Sequence, residues 1–254
     1  MNPFGTNCWT WLAGLWLTGA TLGAFAANPF AARYERLFHE AQAVFQREPT
    51  NALAGWQMAR ACFDWSDFAT NATQRGELAQ LGISAARASI RLNPNLAPSH
   101  YYLGINLGQL ADATRSLGGL KLVGEMEREF KKALELDAAW DYGGPDRCLG
   151  LLYRDAPGWP ISVGSKSKAR LHLEHACVVA KDYPDNQLNL LESLLKWGDK
   201  KKVAAQWPTT EKTMVTARQQ LTGEAWASSW HDWDHRWKKL LGKTPEGSTA
   251  KTNP

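Results

Sequence analysis

Two six-residue stretches, Ser89-Ile-Arg-Leu-Asn-Pro94 and Ala133-Leu-Glu-Leu-Asp-Ala138, read as helix ends running into a break. Ala176-Cys-Val-Val-Ala-Lys181 fits the same frame, and Glu48-Pro49 marks an earlier end. Pro49, Pro94, Ala138 and Lys181 therefore stand 45, 44 and 43 residues apart. A fixed period of this length is the signature of a helical repeat array, in which each unit buries its apolar face only against its neighbours. The expectation is an all-α chain, with strand close to absent.

The segment after each break opens with a large residue, a small one and another large one. Tyr101-Tyr-Leu-Gly104-Ile-Asn-Leu107 shows it best and Leu149-Gly150-Leu-Leu-Tyr153 repeats it. Trp56-Gln-Met58-Ala59 and Leu190-Leu191-Glu-Ser-Leu194 are looser versions. These openings resemble the first helix of a tetratricopeptide repeat, in which Gly lets the paired helix approach closely while the flanking bulky residues face the core. The resemblance implies a tetratricopeptide-like helical-hairpin solenoid. A standard unit is about 34 residues, so each unit carries an insertion. In the second unit the extra residues are placed between its helices, around Ala111-Asp-Ala-Thr-Arg-Ser-Leu-Gly-Gly119, and in the third they form Asp155-Ala-Pro-Gly-Trp-Pro-Ile-Ser-Val-Gly-Ser-Lys-Ser167, where Pro157, Gly158, Pro160 and Gly164 exclude a continuing helix. A dozen-residue loop of this kind is either a connector or a binding element.

The 254 residues are 44% hydrophobic and 21% charged, enough to bury a continuous core. The net charge of +4 is small and spread along the chain, which gives no nucleic-acid footprint. Thirteen Trp is several times ordinary usage, and four of them, Trp226, Trp230, Trp233 and Trp237, step by four, three and four residues, one helical stripe continued by Leu240 and Leu241. A capping helix over the last repeat accounts for that stripe, and an aromatic groove is the other reading. The first 32 residues carry no charged side chain, Trp9 to Ala26 form an apolar run, and Ala24-Phe25-Ala26 offers a small-x-small cleavage site. The expected organisation is an export signal over 1–26, a helical repeat domain over 27–242 and a disordered tail over 243–254. An uncleaved membrane anchor is the alternative. Cleavage leaves Cys62, Cys148 and Cys177, each at an apolar repeat position and so read as core, with a Cys148–Cys177 bridge as the other option.

Catalytic and cofactor motifs are missing: no G-x-S-x-G elbow, no G-x-x-x-x-G-K phosphate loop, no dinucleotide fingerprint. His172 with His175, and His231 with His235, lie on helical spacings without a complete ligand set, so no metal is expected. The expectation is a binding protein, not an enzyme.

One block carries a second resemblance. Tyr142-Gly-Gly-Pro-Asp-Arg-Cys-Leu-Gly-Leu-Leu-Tyr153, then Ala156-Pro-Gly-Trp-Pro160, Gly164, Lys168-Ala169 and Asp182-Tyr-Pro-Asp-Asn186, resembles the T component found with tripartite ATP-independent periplasmic transporters, over about Leu92 to Trp197. That resemblance implies an exported, all-helical protein without chemistry of its own, which forms oligomers and engages a periplasmic solute-binding protein. The expected function is an exported, cofactor-free binding or adaptor protein whose partner is that subunit or another envelope protein, with a small apolar ligand passing through. A purely structural scaffold in an envelope complex is the alternative. From the residues themselves, Gly143 and Gly144 permit backbone angles closed to other residues, Pro145 suits a first helical turn, and Ser165 or Ser167 can cap the next helix. Arg147, Tyr153 and Trp159, with the Gly143-Gly144-Pro145 turn, are the candidate contact residues for a partner or ligand. Trp159 is placed at the loop tip and Arg147 on the helix's first turn.

Overall fold

The computed structural model describes residues 30–114 and 117–242. The segment 1–26, read as an export signal, and the tail 243–254 lie outside the described residues. Ten helices account for the described chain: α1 (Ala31–Arg47), α2 (Ala52–Ser66), α3 (Ala72–Leu92), α4 (Ala97–Thr114), α5 (Leu117–Leu136), α6 (Trp140–Asp155), α7 (Lys166–Val179), α8 (Pro184–Lys196), α9 (Lys200–Gln220) and α10 (Glu224–Leu241). No strand forms among the described residues, and one isolated bridge joins Gly158 to Gly164. No described helix is long and apolar enough to cross a membrane.

The breaks at Pro49, Pro94, Ala138 and Lys181 fall in the connections before α2, α4, α6 and α8. Side chains restart the helices by satisfying amides that have no intrahelical partner. Asn51 accepts from the Leu53 amide at 2.9 Å, Asn71 from Gln74 at 2.9 Å and Asp199 from Lys202 at 3.3 Å. Pro184 opens α8, where its missing N–H costs nothing. From α1 to α9 each helix packs on its neighbours in the chain, α2, α4, α6 and α8 also touch in series, and α10 lies on α8 and meets α9 through the Trp207 and Trp237 rings.

Gly104 and Gly150 act as expected. A Cβ at Gly104 would stand 2.5 Å from the Phe130 ring on α5, and one at Gly150 would stand 2.6 Å from Leu173 on α7. Leu103 and Leu107 are buried beside Gly104. The insertion expected within Ala111–Gly119 is instead largely absorbed by longer helices, since α4 runs to Thr114 and α5 begins at Leu117. Asp112 pairs with Arg75 of α3 at 3.2 Å, and the Thr114 hydroxyl donates to the Leu110 carbonyl at 3.0 Å, so the last turn of α4 is tied down rather than unwound.

The core has two lobes. One joins α1 to α5 with parts of α6 and α7; the other joins parts of α6 and α7 to α8, α9 and α10 through Leu151, Leu173, Leu191, Trp207 and the tryptophan stripe. Trp226, Trp230 and Trp233 are buried and Trp237 packs against them. Trp230 donates its indole N–H to the Leu221 carbonyl at 2.6 Å. The stripe is thus core, as its spacing implied. Cys62 and Cys177 are free thiols, which excludes a Cys148–Cys177 bridge. Burial, with a nearby acid in each case, pushes both thiols up to about 12.

Candidate functional site

The start of α6 is not regular helix. Asp141, Tyr142 and Gly143 have φ of 50°, 57° and 76°, a left-handed run that glycine adopts freely and that costs the other two about 1–2 kcal/mol each. Side chains from later in the chain hold that run. Arg147 donates to the Asp141 carbonyl at 3.2 Å, and Asn186 of α8 donates to the Tyr142 carbonyl at 2.8 Å and the Ala176 carbonyl at 2.9 Å. The Tyr142 ring stacks on Tyr183 with centroids 4.5 Å apart. The Gly143-Gly144-Pro145 turn therefore serves to aim Arg147 inward.

Arg147 is 0% exposed. Its guanidinium meets Asp141 at 2.8 Å, Asp185 at 3.1 Å and the Asn186 side-chain oxygen at 2.9 Å, and lies 5.3 Å over the Tyr183 ring. Tyr101 of α4 donates to Asp141 at 2.7 Å. Burial alone would lower the pKa of Arg147; Tyr101, Asp141 and Asp185 outweigh it and hold the group above free arginine. Asp185 carries the chain onward to Arg236 at 2.6 Å, which also binds Glu192 at 2.8 Å, the Asn189 side chain at 2.9 Å and Asp232 at 3.3 Å. One line of ion pairs thus links α6, α8 and α10, and the Tyr101 hydroxyl ties α4 to it.

The remaining candidates separate by burial. Tyr153 is buried and donates to Glu127 of α5 at 2.7 Å, and Gly143, Gly144 and Pro145 are buried too. Trp159 is 88% exposed, with Ile161 beside it at 70%. Their loop is nonetheless closely bonded: Ser165 N–H donates to Tyr153 at 2.8 Å, Gly164 N–H to Pro157 at 2.8 Å and Ile161 N–H to Gly158 at 3.0 Å. A Cβ at Gly164 would overlap the Ala156 carbonyl at 2.0 Å, so only glycine closes the loop. Ser165 caps α7 by accepting from the Lys168 amide at 3.4 Å. An ordered loop that leaves a tryptophan in water has not used it for packing.

Sequence reasoning missed Asp141, Asp185, Asn186 and Arg236 as members of one cluster. It also missed Asp146, which is buried and receives His172 at 2.7 Å and His175 at 2.6 Å. The two histidines clamp α7 onto α6. No group of three or more His, Cys, Asp or Glu that could hold a metal occurs among the described residues.

Fold and site together define an all-helical protein with a buried ionic spine, an aromatic C-terminal helix and one exposed aromatic loop. The chain is similar to a family of regulators: the model of regulator of microtubule dynamics protein 1-3 matches residues 28–140, somewhat less than half of the chain. No curated protein matches the chain. The regulator match overturns the resemblance to the transporter T component. With it go the periplasmic solute-binding partner, the apolar ligand in transit, the envelope scaffold and the exported or membrane-anchored location. The block Tyr142 to Asn186 that carried that resemblance has a local cause: its Gly-Gly-Pro turn, Arg147 and Asn186 hold one another.

Proposed function

We propose that the protein is a non-catalytic regulator of the kind that the match describes, which docks a protein partner on a helical-repeat scaffold. The observation that carries this reading is the match over residues 28–140, the stretch that builds α1 to α5. The scaffold is a tetratricopeptide-like solenoid over residues 27–242, with hairpins α2–α3, α4–α5, α6–α7 and α8–α9 and with α10 as its cap. Its support is the run of helix ends at each break and the serial contact of the first helices of the hairpins. The docking element is the Trp159 loop, and an exposed, pre-ordered aromatic is the side chain that most often anchors an interface. Arg147, Tyr153 and the Gly143-Gly144-Pro145 turn contribute from beneath, by fixing the helix from which that loop leaves.

The matched description makes assembled microtubules the partner to test. The full chain, mixed with stabilised microtubules and centrifuged, should pellet with them saturably. Trp159→Ala should keep the thermal unfolding midpoint and weaken pelleting about tenfold or more, as loss of an interface anchor does. If the wild-type chain stays in the supernatant at all microtubule concentrations, the reading is wrong.

A further inference from the structure

The Trp159 loop closes onto the start of α7. Gly164 N–H donates to the Pro157 carbonyl and Gly158 bridges Gly164, which sets the exposed Trp159 and Ile161 at the end of α7 that Lys166 and Lys168 begin. Both lysines are exposed, and neither forms an ion pair among the described residues. The Lys166 ammonium stands 5.6 Å from the centre of the Trp197 ring and that of Lys168 stands 5.2 Å from the centre of the Tyr153 ring. The acids around them are engaged elsewhere. Asp155 is shared by Arg154 at 2.6 Å and Lys196 at 2.6 Å, and Asp199 is held by Arg170 at 2.9 Å. Glu127 lies near enough to Lys168 to feel its charge, but Lys131 holds it at 2.6 Å and Tyr153 donates to it at 2.7 Å. No acid stands in the first turn of α7, and the helix dipole opposes cations there, so neither lysine serves to hold the helix.

We propose that Trp159, Ile161, Lys166 and Lys168 seat an acidic segment of the partner protein, one in which an apolar side chain is flanked by Glu or Asp. The inference rests on the reading that this loop docks a protein. Charge sets the occupant, since two cations without acids of their own draw carboxylates, and the two apolar side chains beside them take the apolar residue in between. The rings under the lysines restrain them before the partner arrives, so less side-chain freedom is lost on binding. The loop is bonded in advance as well, which leaves only the acidic segment to be ordered. An anionic lipid surface is recognised by clusters of about four to eight basic residues. Two lysines set over fixed rings suit the discrete carboxylates of a peptide instead.

The test uses the 15N-labelled full chain, with the Trp159 indole N–H resonance assigned through Trp159→Phe and followed at low salt. The probes are the capped peptides Glu-Glu-Leu-Glu-Glu, Gln-Gln-Leu-Gln-Gln and Glu-Glu-Ser-Glu-Glu. The resonance should move saturably with the first peptide, and each of the other two should bind about tenfold more weakly or worse. Lys166→Gln combined with Lys168→Gln should weaken the first peptide about tenfold without lowering the thermal unfolding midpoint. Lys238→Gln combined with Lys239→Gln, an equal charge change in the last turn of α10, should leave binding as in wild type. A resonance unmoved up to about 1 mM of the first peptide would overturn the proposal. So would equal affinity for the Gln peptide, or equal loss in both lysine pairs. Co-sedimentation with phosphatidylserine vesicles that Trp159→Ala abolishes would overturn it in favour of a lipid surface. Microtubule pelleting that needs Trp159 but survives the Lys166 and Lys168 changes would keep the docking reading and remove the acidic segment.

Discussion

Arg147 is the residue whose role burial reverses. A guanidinium on the first turn of a helix, next to a Gly-Gly-Pro turn, reads as a surface cation, and 0% exposure makes it the centre of the ionic spine. Replacement by Met should destabilise the fold by about 3–5 kcal/mol, because Asp141 would be left buried without its cation and Asp185 would keep Arg236 alone. Urea unfolding measures this, and an unchanged midpoint would return Arg147 to the surface. His100 gives a prediction in pH. Its Nδ1 lies 2.7 Å from Glu129 and its Nε2 lies 2.9 Å from the Pro94 carbonyl. Burial lowers its pKa, but Glu129 and Pro94 outweigh that and leave it above the ordinary 6.5. A group whose folded pKa is raised stabilises the fold fully below its unfolded pKa and loses that contribution as pH rises through the folded one. Unfolding midpoints of wild type and His100→Gln should therefore differ most in mildly acidic solution and converge as pH rises past the folded pKa. A gap that widened with pH would show that the imidazolium is not the stabilising form.

At the scale of the helices, much was legible because local chemistry decided it. The breaks after Arg47, Leu92, Leu136 and Val179 announce themselves by Pro, Asn or Asp after an apolar turn, and Gly104 and Gly150 mark close approach. Gly104→Val should cost about 1–3 kcal/mol through overpacking against Phe130; a thermal midpoint equal to wild type would mean that α4 and α5 can separate without loss. The second insertion was misplaced because Asp112 finds Arg75, a partner 37 positions away that no local pattern shows. The third was placed correctly because two prolines and two glycines forbid helix on their own. Of the candidate contact residues, loop geometry left Trp159 outside, while packing drew Arg147 and Tyr153 inside; sequence shows a side chain's type and phase, not the neighbour that will cover it.

Across the whole molecule, pairings distant in the chain set the architecture. Arg33 of α1 meets Glu224 of α10 at 3.3 Å and Phe30 lies 5.8 Å from His231, so the first and last helices meet. Asp141, Asp185 and Arg236 join one spine from three helices. The transporter resemblance failed on the same ground, since a turn that serves internal packing was read as a mark of function. On the proposed function, a pre-ordered loop on a rigid helical scaffold docks the partner. Hydrogen–deuterium exchange of the full chain, with and without assembled microtubules, tests it most directly. Protection should concentrate at residues 156–165 around Trp159 and vanish in Trp159→Ala while exchange in α6 and α8 stays unchanged. Protection absent from that loop, or present equally in the variant, would contradict it.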